Sequence, residues 1–416
     1  MAVNRLKMGQ GKVVTGDWFW NREKERQLLI ERVDNGAHQV LVAQRRMGKT
    51  SLMAEAERSL ADRYVCLFVD VQKCNSGADV VVELSLKVRR HERLWEKAKG
   101  VFTNVLERIK DNVESVQIAE LGVTLRAGLA AANWAQKGDQ LLAILSMSEN
   151  PVVIFFDEVP ILVNRLLKDE DGKMTPNGRK RADEFMSWLR DNSIRHQGKI
   201  RMILSGSIGL APVLHQARLS ATINNFTPLE VEAWNEETAV GCIRALAHEY
   251  GLELEDGVPK EMVKRLGCCI PHHVQMFFTH LHERCVKRDN TNCSLEDVGE
   301  VYRKNMLGVR GHVEMVHYEE RLEQVLDREA CTLGLDMLTE TAVVGLLSGD
   351  ALKAFQKEYV FDERDAAQVQ REILWVLEHD GYLRKGEDGY VFVSRLLRDW
   401  WKNRYEHSYT PVLERS

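Results

Sequence analysis

Four apolar runs along the first half of the chain read as strands, and the stretches between them carry helical spacing. The runs are His38-Gln-Val-Leu-Val-Ala43, Tyr64-Val-Cys-Leu-Phe-Val-Asp-Val71, Pro151-Val-Val-Ile-Phe-Phe-Asp157 and Lys199-Ile-Arg-Met-Ile-Leu-Ser-Gly-Ser207. Each is too short for a helix and is built around an apolar stretch, the pattern of a buried strand. Before the first run, an aromatic-containing loop from Gly16 gives way to an amphipathic helix with Leu28, Leu29 and Val33 on one face. Residues 51–60 are rich in helix formers. A helix with dense charge on its outer face is expected over 79–110, and others over 134–147 and 182–193, the last with Phe185, Trp188 and Leu189 inward. Residues 115–126 alternate apolar and polar with a Gly inside, which predicts a hairpin on the sheet edge. The span 168–178 is polar and turn-rich. Strand alternating with helix predicts an α/β fold: a parallel sheet with helices on both faces. A ligand then lies across the carboxyl ends of the strands.

From Ile223 the character changes. Residues 230–250 and 261–288 read as helical without strand signals, with Pro271 at a first helical turn. A third module starts near 306. Short helices are expected over 336–347 and 349–358, and a longer one over 365–380 with Val369, Ile373, Leu374 and Leu377 at helical spacing. Two short strands around a Gly-rich turn follow over 381–393, then a basic amphipathic helix over 394–405. Three helices and a hairpin predict a winged helix. The expected division is therefore 1–222 for the sheet core, 223–305 for a helical lid and 306–416 for the winged-helix domain. No Gly-, Pro- or Ser-rich linker separates them, so the parts are expected to pack together.

Composition adds boundaries. An apolar share of 44% and a charged share of 29% are those of a globular protein. The net charge of −5 gives no overall pull toward nucleic acid or anionic lipid. No apolar run approaches the roughly 18 residues of a membrane helix, so no membrane partner is expected. The first residues lack the apolar core of a secretory signal. The eight cysteines form no C-x-x-C pair, and Cys268 and Cys269 are adjacent, which suits no metal cage. A cytoplasmic protein with reduced thiols is expected.

The chemistry concentrates at Ala43-Gln-Arg-Arg-Met-Gly-Lys-Thr50, followed by Ser51. It fits the relaxed phosphate-binding loop, with Ala43 in place of the first Gly, and it sits between a strand and a helix as that motif requires. Backbone N–H groups from Ala43 through Ser51 wrap phosphate, and the helix start adds partial positive charge. Gly48 lets the backbone approach closely. Lys49 sets a point charge on the β- and γ-phosphates, and the Thr50 hydroxyl is placed for Mg²⁺. Gln44, Arg45, Arg46 and Met47 complete the loop. Arg45 and Arg46 point either to phosphate or to a neighbouring subunit.

Asp157 and Glu158 end the third apolar run. Asp157 at a strand tip supports Mg²⁺, and Glu158 orients and deprotonates an attacking water. At the tip of the fourth run Ser205 and Ser207 either sense the γ-phosphate, Ser205 foremost, or cap the next helix. Phe19 and Arg22 are candidate adenine neighbours, with Phe19 equally suited to be a core anchor. A lid would present the Pro271 turn to the phosphates, where His272 or His273 either senses ATP or merely packs. Against DNA readout, residues 361–380 carry six acids beside Arg364 and Arg371. Arg384, Lys385, Arg395, Arg398, Lys402 and Arg404 offer basic positions in the wing and last helix.

These residues resemble the prokaryotic predicted ATPases related to the archaeal ATPase family and the STAND class of multidomain signal-transduction ATPases, within the AAA+ group. The resemblance is carried by Phe19 with Asn21-Arg-Glu23, Arg45-Arg-Met-Gly-Lys-Thr-Ser51, Phe156-Asp-Glu-Val-Pro160, Leu204-Ser-Gly-Ser-Ile-Gly209, and Phe392 with Leu396-Leu-Arg-Asp-Trp-Trp401. It implies an ATPase that binds ATP or ADP with Mg²⁺, in which ADP holds the lid and winged helix closed and ATP permits self-assembly or binding of a protein partner. Two departures stand out: Ala43 replaces the usual Gly, and Cys269 stands where a Gly often precedes the x-Pro of the lid. The expected function is an ATP-hydrolysing switch. The alternative is an ATP-gated DNA-binding protein of the origin-initiator type.

Overall fold

A computed structural model describes residues 6–103, 117–129, 133–169, 172–361 and 364–415. The chain divides into two compact units. One, the sheet unit, is Arg22–Val42 with Leu52–Glu230; the other, the helical unit, is Met1–Asn21, Ala43–Ser51 and Val231–Ser416.

The sheet unit holds five parallel strands: β1 (His38–Val42), β2 (Val65–Asp70), β3 (Val152–Asp157), β4 (Ile200–Leu204) and β5 (Phe226–Glu230). Their order is β2-β3-β4-β1-β5. Every residue of β3 and β4 is buried, Arg201 included, as in a sheet covered on both faces. The crossovers carry α1 (Glu23–Asp34), α2 (Lys49–Leu60), α3 (Gly77–Val88), α4 (Glu92–Ala98), α5 (Ile118–Gly128), α6 (Trp134–Ser146), α7 (Val159–Leu167), α8 (Pro176–Arg195) and α9 (Leu210–Gln216). Helix α6 lies tightly on α8: a Cβ on Gly138 would come within 2.6 Å of the Trp188 ring. Trp134, Phe185 and Trp188 form one aromatic cluster, and the Trp188 indole donates to Asp139 at 2.9 Å.

Several local expectations change. Residues 118–126 are helical, not a hairpin; Leu121 and Leu125 are buried one turn apart while Val123 is 64% exposed. Residues 115–116 lie outside the described part. The helix expected over 79–110 breaks into α3, α4 and a 3₁₀ turn at Lys99–Phe102, and 104–110 are not described. The accessible face of α3 carries the expected charge at Asp79, Glu83 and Lys87, spaced four apart, while Val80, Val81, Val82, Leu84, Leu86 and Val88 are buried. On α1, Leu29 and Val33 are buried but Leu28 is 39% exposed. Helix α8 starts already at Pro176, where the Thr175 hydroxyl accepts the Gly178 N–H. The chain from 223 does not leave the sheet at once. Phe226–Glu230 pairs in parallel along the whole of β1 as the edge strand.

The helical unit contains α10 (Glu236–Glu249), α11 (Val258–Leu266), α12 (Pro271–Lys287), α13 (Leu295–Val301) and α14 (Val309–Val325), with short strands β6 (Glu253–Leu254) and β7 (Asn292–Cys293). After these come α15 (Arg328–Val344), β8 (Leu347–Ser348), α16 (Gly349–Glu358), α17 (Ala366–His379), β9 (Leu383–Lys385), β10 (Gly389–Phe392) and α18 (Arg395–Tyr405). Three helices with an antiparallel sheet ordered β8-β10-β9 have the winged-helix layout. The strand β8 was not foreseen, nor was α14, and α15 begins well before 336. Trp401 is fully buried, and its indole donates to Thr339 at 3.1 Å. Gly267, at the end of α11, meets α18 so closely that a Cβ would lie 2.6 Å from that of Arg395. Among the described residues no helix is long and apolar enough to cross a membrane.

Candidate functional site

Strand β1 ends at Val42 and α2 begins at Lys49, so residues 43–48 form the turn between them. Both Arg46 (φ 67°) and Gly48 (φ 86°) are left-handed, and a Cβ on Gly48 would meet nothing within 4 Å. Glycine takes this conformation freely; an arginine pays for it. Lys49 is 6% exposed, and its ammonium folds back over the turn, donating to the carbonyls of Ala43 and Gln44 at 2.8 Å each. Ser51 accepts the Val14 N–H at 3.1 Å, and Met47 is buried.

Three side chains of the turn meet later parts of the chain. A Cβ on Gly381, just before β9, would sit 1.9 Å from Gln44 Cδ. Arg46 donates to Glu314 of α14 at 2.7 Å, and the same carboxylate oxygen lies 3.2 Å from His272 Nε2. Burial, then Arg321 and Arg46 nearby, hold the Arg45 guanidinium below its ordinary value. Arg45 Nη1 and Gln44 Oε1 are buried without a hydrogen-bond partner. Native proteins leave few such groups, so each asks for a reason.

Pro271 opens α12 as expected, and His272 follows it in the first turn. The Pro271 turn and the loop arginine thus share one carboxylate. The hydrogen bond from His272 and the charges of His272, Arg46 and His317 outweigh burial and hold Glu314 down at about 2. Burial dominates at His272 itself and keeps its imidazole below the usual value. The Glu314 charge is therefore balanced by Arg46. His273 is 1% exposed and is pushed well below the usual range by burial.

Phe19 is partly exposed and closes a short 3₁₀ turn, Gly16–Trp18. The segment is pinned to α10 by Trp20 and Asn21, which donate to Thr238 at 3.3 and 3.0 Å. Arg22 belongs to the sheet unit, left-handed and 5% exposed, with its guanidinium on Glu25 at 2.7 Å.

In the sheet unit the register sets Val40, Leu204 and Phe156 in one row. One step on, Ser205 and Asp157 reach the carboxyl edge, with β4 between β1 and β3. Two strand spacings separate β1 from β3, about 10 Å. Asp157 is 6% exposed and its Oδ1 accepts the Glu158 N–H at 3.0 Å. Glu158 is left-handed at φ 63°. Its Oε2 accepts both the N–H and the hydroxyl of Ser207, at 2.9 and 2.7 Å. Gly206 lies against Pro160, where a Cβ would come within 2.3 Å of its ring, so the two motifs interlock. Ser205 is 2% exposed and its hydroxyl has no hydrogen-bond partner. Neither serine caps α9, whose N-cap is Gly209.

A hydroxyl at Thr50 and a carboxylate at Asp157 are hard oxygen donors, the kind Mg²⁺ takes in ones and twos beside phosphate and water. The cysteines offer no competing chemistry: burial pushes Cys66, Cys74 and Cys242 up to about 12, and no disulfide joins any of the eight.

Among solved structures, a Walker-type ATPase of Pyrococcus abyssi superposes with a TM-score of 0.59 at 17% identity, over 92% of this chain and 96% of that one. The chain has the P-loop ATPase fold. The ORC2 protein of Aeropyrum pernix, solved in ADPNP and ADP complexes, matches with a TM-score of 0.51 at 12% identity, covering 92% and 93% of the two chains. No protein-family model matches the chain, and no curated protein matches it in sequence.

Proposed function

We propose that this protein is a Mg²⁺-dependent ATP-binding and ATP-hydrolysing switch, whose nucleotide state controls domain arrangement and, through it, self-assembly or the binding of a protein partner. Lys49 and Thr50 take phosphate and metal, Asp157 supports the metal, and Glu158 is the base that activates water. Backbone N–H groups of 43–51 cradle the phosphates. Ser205 reads the γ-phosphate. Phe19 and Arg22 border the base, and Pro271 brings the lid turn to the phosphates. Mg²⁺, when bound, neutralises charge on the β- and γ-oxygens.

One observation carries this reading. A parallel sheet ordered β2-β3-β4-β1-β5 has the acid pair at the tip of β3, a buried unpartnered serine at the tip of β4, and a Gly-Lys-Thr turn leading out of β1. The regulatory half of the proposal is supported by the grouping of residues 43–51 with the helical unit.

The DNA-binding alternative draws less support. Arg395 and Arg398 face Asp399 at 3.5 and 2.7 Å, Arg404 faces Glu319 at 3.2 Å, and Lys402 faces Glu406 at 4.0 Å. Four cations that already face three carboxylates bring less counterion release on a duplex than free ones would. Phosphate release from Mg·ATP tests the enzyme reading: turnover in the wild type, with loss in Glu158→Gln, is expected, and equal turnover in both rejects the assignment.

A further inference from the structure

The turn between β1 and α2 gathers several cations. Arg45 and Arg46 belong to the turn, and Arg321 of α14 is close enough to bear on Arg45. Lys49 adds a fourth cation, folded onto carbonyls of its own loop. The residues facing this cluster from the other elements are His272 and His273 of α12, Glu314, His317 and Tyr318 of α14, and Tyr382 before β9. Both α12 histidines are held below the ordinary imidazole value, and the tyrosines are held above theirs, so all four are uncharged near neutrality. Of these facing groups, Glu314 alone brings a negative charge.

That carboxylate is well placed to hold the loop. Its Oε2 takes Arg46 at 2.7 Å and His272 at 3.2 Å, and both sides of the ion pair are only 24% exposed. Arg46 reaches it from a left-handed backbone, a conformation that is strained for a residue with a side chain and persists only where its surroundings enforce it. An arginine makes the same paired, charge-assisted contacts to phosphate as to carboxylate. One side chain cannot serve both at full strength.

We propose that Glu314 is a built-in counter-anion for Arg46, which the phosphates of a bound nucleotide displace, so that α14 reports the nucleotide state of the loop. This rests on the ATP-binding reading above and deepens it. Before nucleotide arrives, Glu314 holds the loop arginine and the Pro271–His272 turn together. When phosphate takes Arg46, Glu314 keeps its hydrogen bond to His272, and α14 loses its ion pair to the loop. The latch costs affinity: binding is weakened by the fraction of molecules in which Arg46 is already engaged. If nine in ten are engaged, the loss is about tenfold.

The test is a calorimetric titration of a non-hydrolysable ATP analogue with Mg²⁺ into the full chain. Four proteins are compared: wild type, Glu314→Gln, Arg46→Ala and the double variant. Glu314→Gln keeps the shape and the histidine contact and removes the charge; it is expected to tighten binding about tenfold. In the Arg46→Ala background the same change is expected to do nothing, because the competition no longer exists. Glu323→Gln, an exposed change on the same helix, controls for the loss of one nearby charge and is expected to leave the Kd unchanged. Equal affinity in wild type and Glu314→Gln, weaker binding in Glu314→Gln, or an equal gain from Glu323→Gln overturns the latch and leaves ATP binding standing. Failure of every protein to bind the analogue overturns both. Should Glu314→Gln not fold, Glu314→Ser, which also removes the charge, is expected to tighten binding, and unchanged or weaker binding there counts against the latch.

Discussion

Ser207 holds Glu158 by two hydrogen bonds to one carboxylate oxygen, from its N–H at 2.9 Å and its hydroxyl at 2.7 Å. The acid proposed as general base is therefore fixed by the loop after β4, and its left-handed backbone is locked by the Val159 N–H donating to Ser205 at 3.0 Å. Removing the hydroxyl leaves one of two donors. A hydrogen bond to a charged group is worth about 1.5–3 kcal/mol, so Ser207→Ala is expected to lower kcat about tenfold or more with nucleotide affinity unchanged. Ser207→Thr is expected to restore it. Steady-state phosphate release measures both; equal loss in the two variants, or a change in affinity alone, contradicts a positioning role.

Glu158→Gln separates binding from chemistry. Affinity for ATP is expected to persist while hydrolysis falls roughly 10²-fold or more, because the amide cannot take the proton of water. Equilibrium binding and single-turnover phosphate release on the same preparation check this, and a parallel fall in both would place Glu158 in binding.

Gly381 presses on the phosphate loop through Gln44. Its φ of 77° is left-handed, and a Cβ there would sit 1.9 Å from Gln44 Cδ. Gly381→Ala is expected to cost about 1–2 kcal/mol for the backbone alone. The displaced Gln44 should also weaken nucleotide binding. Denaturant titration and a Kd on the folded variant read the two effects separately. An unchanged Kd would show that the turn before β9 does not shape the loop.

The Glu314 cluster makes a pH prediction with a definite sign. Folding depresses this carboxylate from about 4.5 to about 2, through the hydrogen bond from His272 and the charges nearby. A depressed acid contributes stability that is present above its unfolded value and is lost as pH falls through its folded value. The melting-temperature gap between wild type and Glu314→Gln is therefore expected to be full at pH 6–7 and to close from about pH 4.5 toward pH 2. A gap that is constant with pH would mean the side chain acts by shape alone.

Salt-dependent binding to duplex DNA would favour the alternative reading. With Arg395, Arg398, Lys402 and Arg404 each facing an acid, little or no mobility shift is expected even at low salt. A strong shift abolished by Arg395→Ala with Arg398→Ala would reverse that preference.

The strands of the core were legible because a parallel sheet covered on both faces forces apolar runs; β2 and β3 are apolar up to their last residue, while β1 and β4 stay readable despite the buried His38, Gln39 and Arg201. Strand β5 hid behind Pro228. As an edge strand it needs hydrogen bonds on one side only, so a proline is tolerated and two of its residues alone are buried. Residues 118–126 misled because Leu121, Val123 and Leu125 satisfy period two and period four at once; burial of the first and last, with Val123 exposed, shows which period the fold used. Lys49, Asp157 and Glu158 were readable from local motifs. Glu314 was not, since it lies 268 residues from the arginine it holds, and α14 around it looks like any charged helix. Local pattern reveals what chemistry a segment carries. It says nothing of which distant side chain the fold sets against it.

The account depends most on a triphosphate being held by the Gly48-Lys49-Thr50 turn. Calorimetric titration of Mg·ATP into the wild type and into Lys49→Ala, both shown to be folded by circular dichroism, tests it most directly. Saturable binding at one site per chain in the wild type and none in Lys49→Ala is the predicted result; equal affinity in the two, or no binding to the wild type, would contradict it.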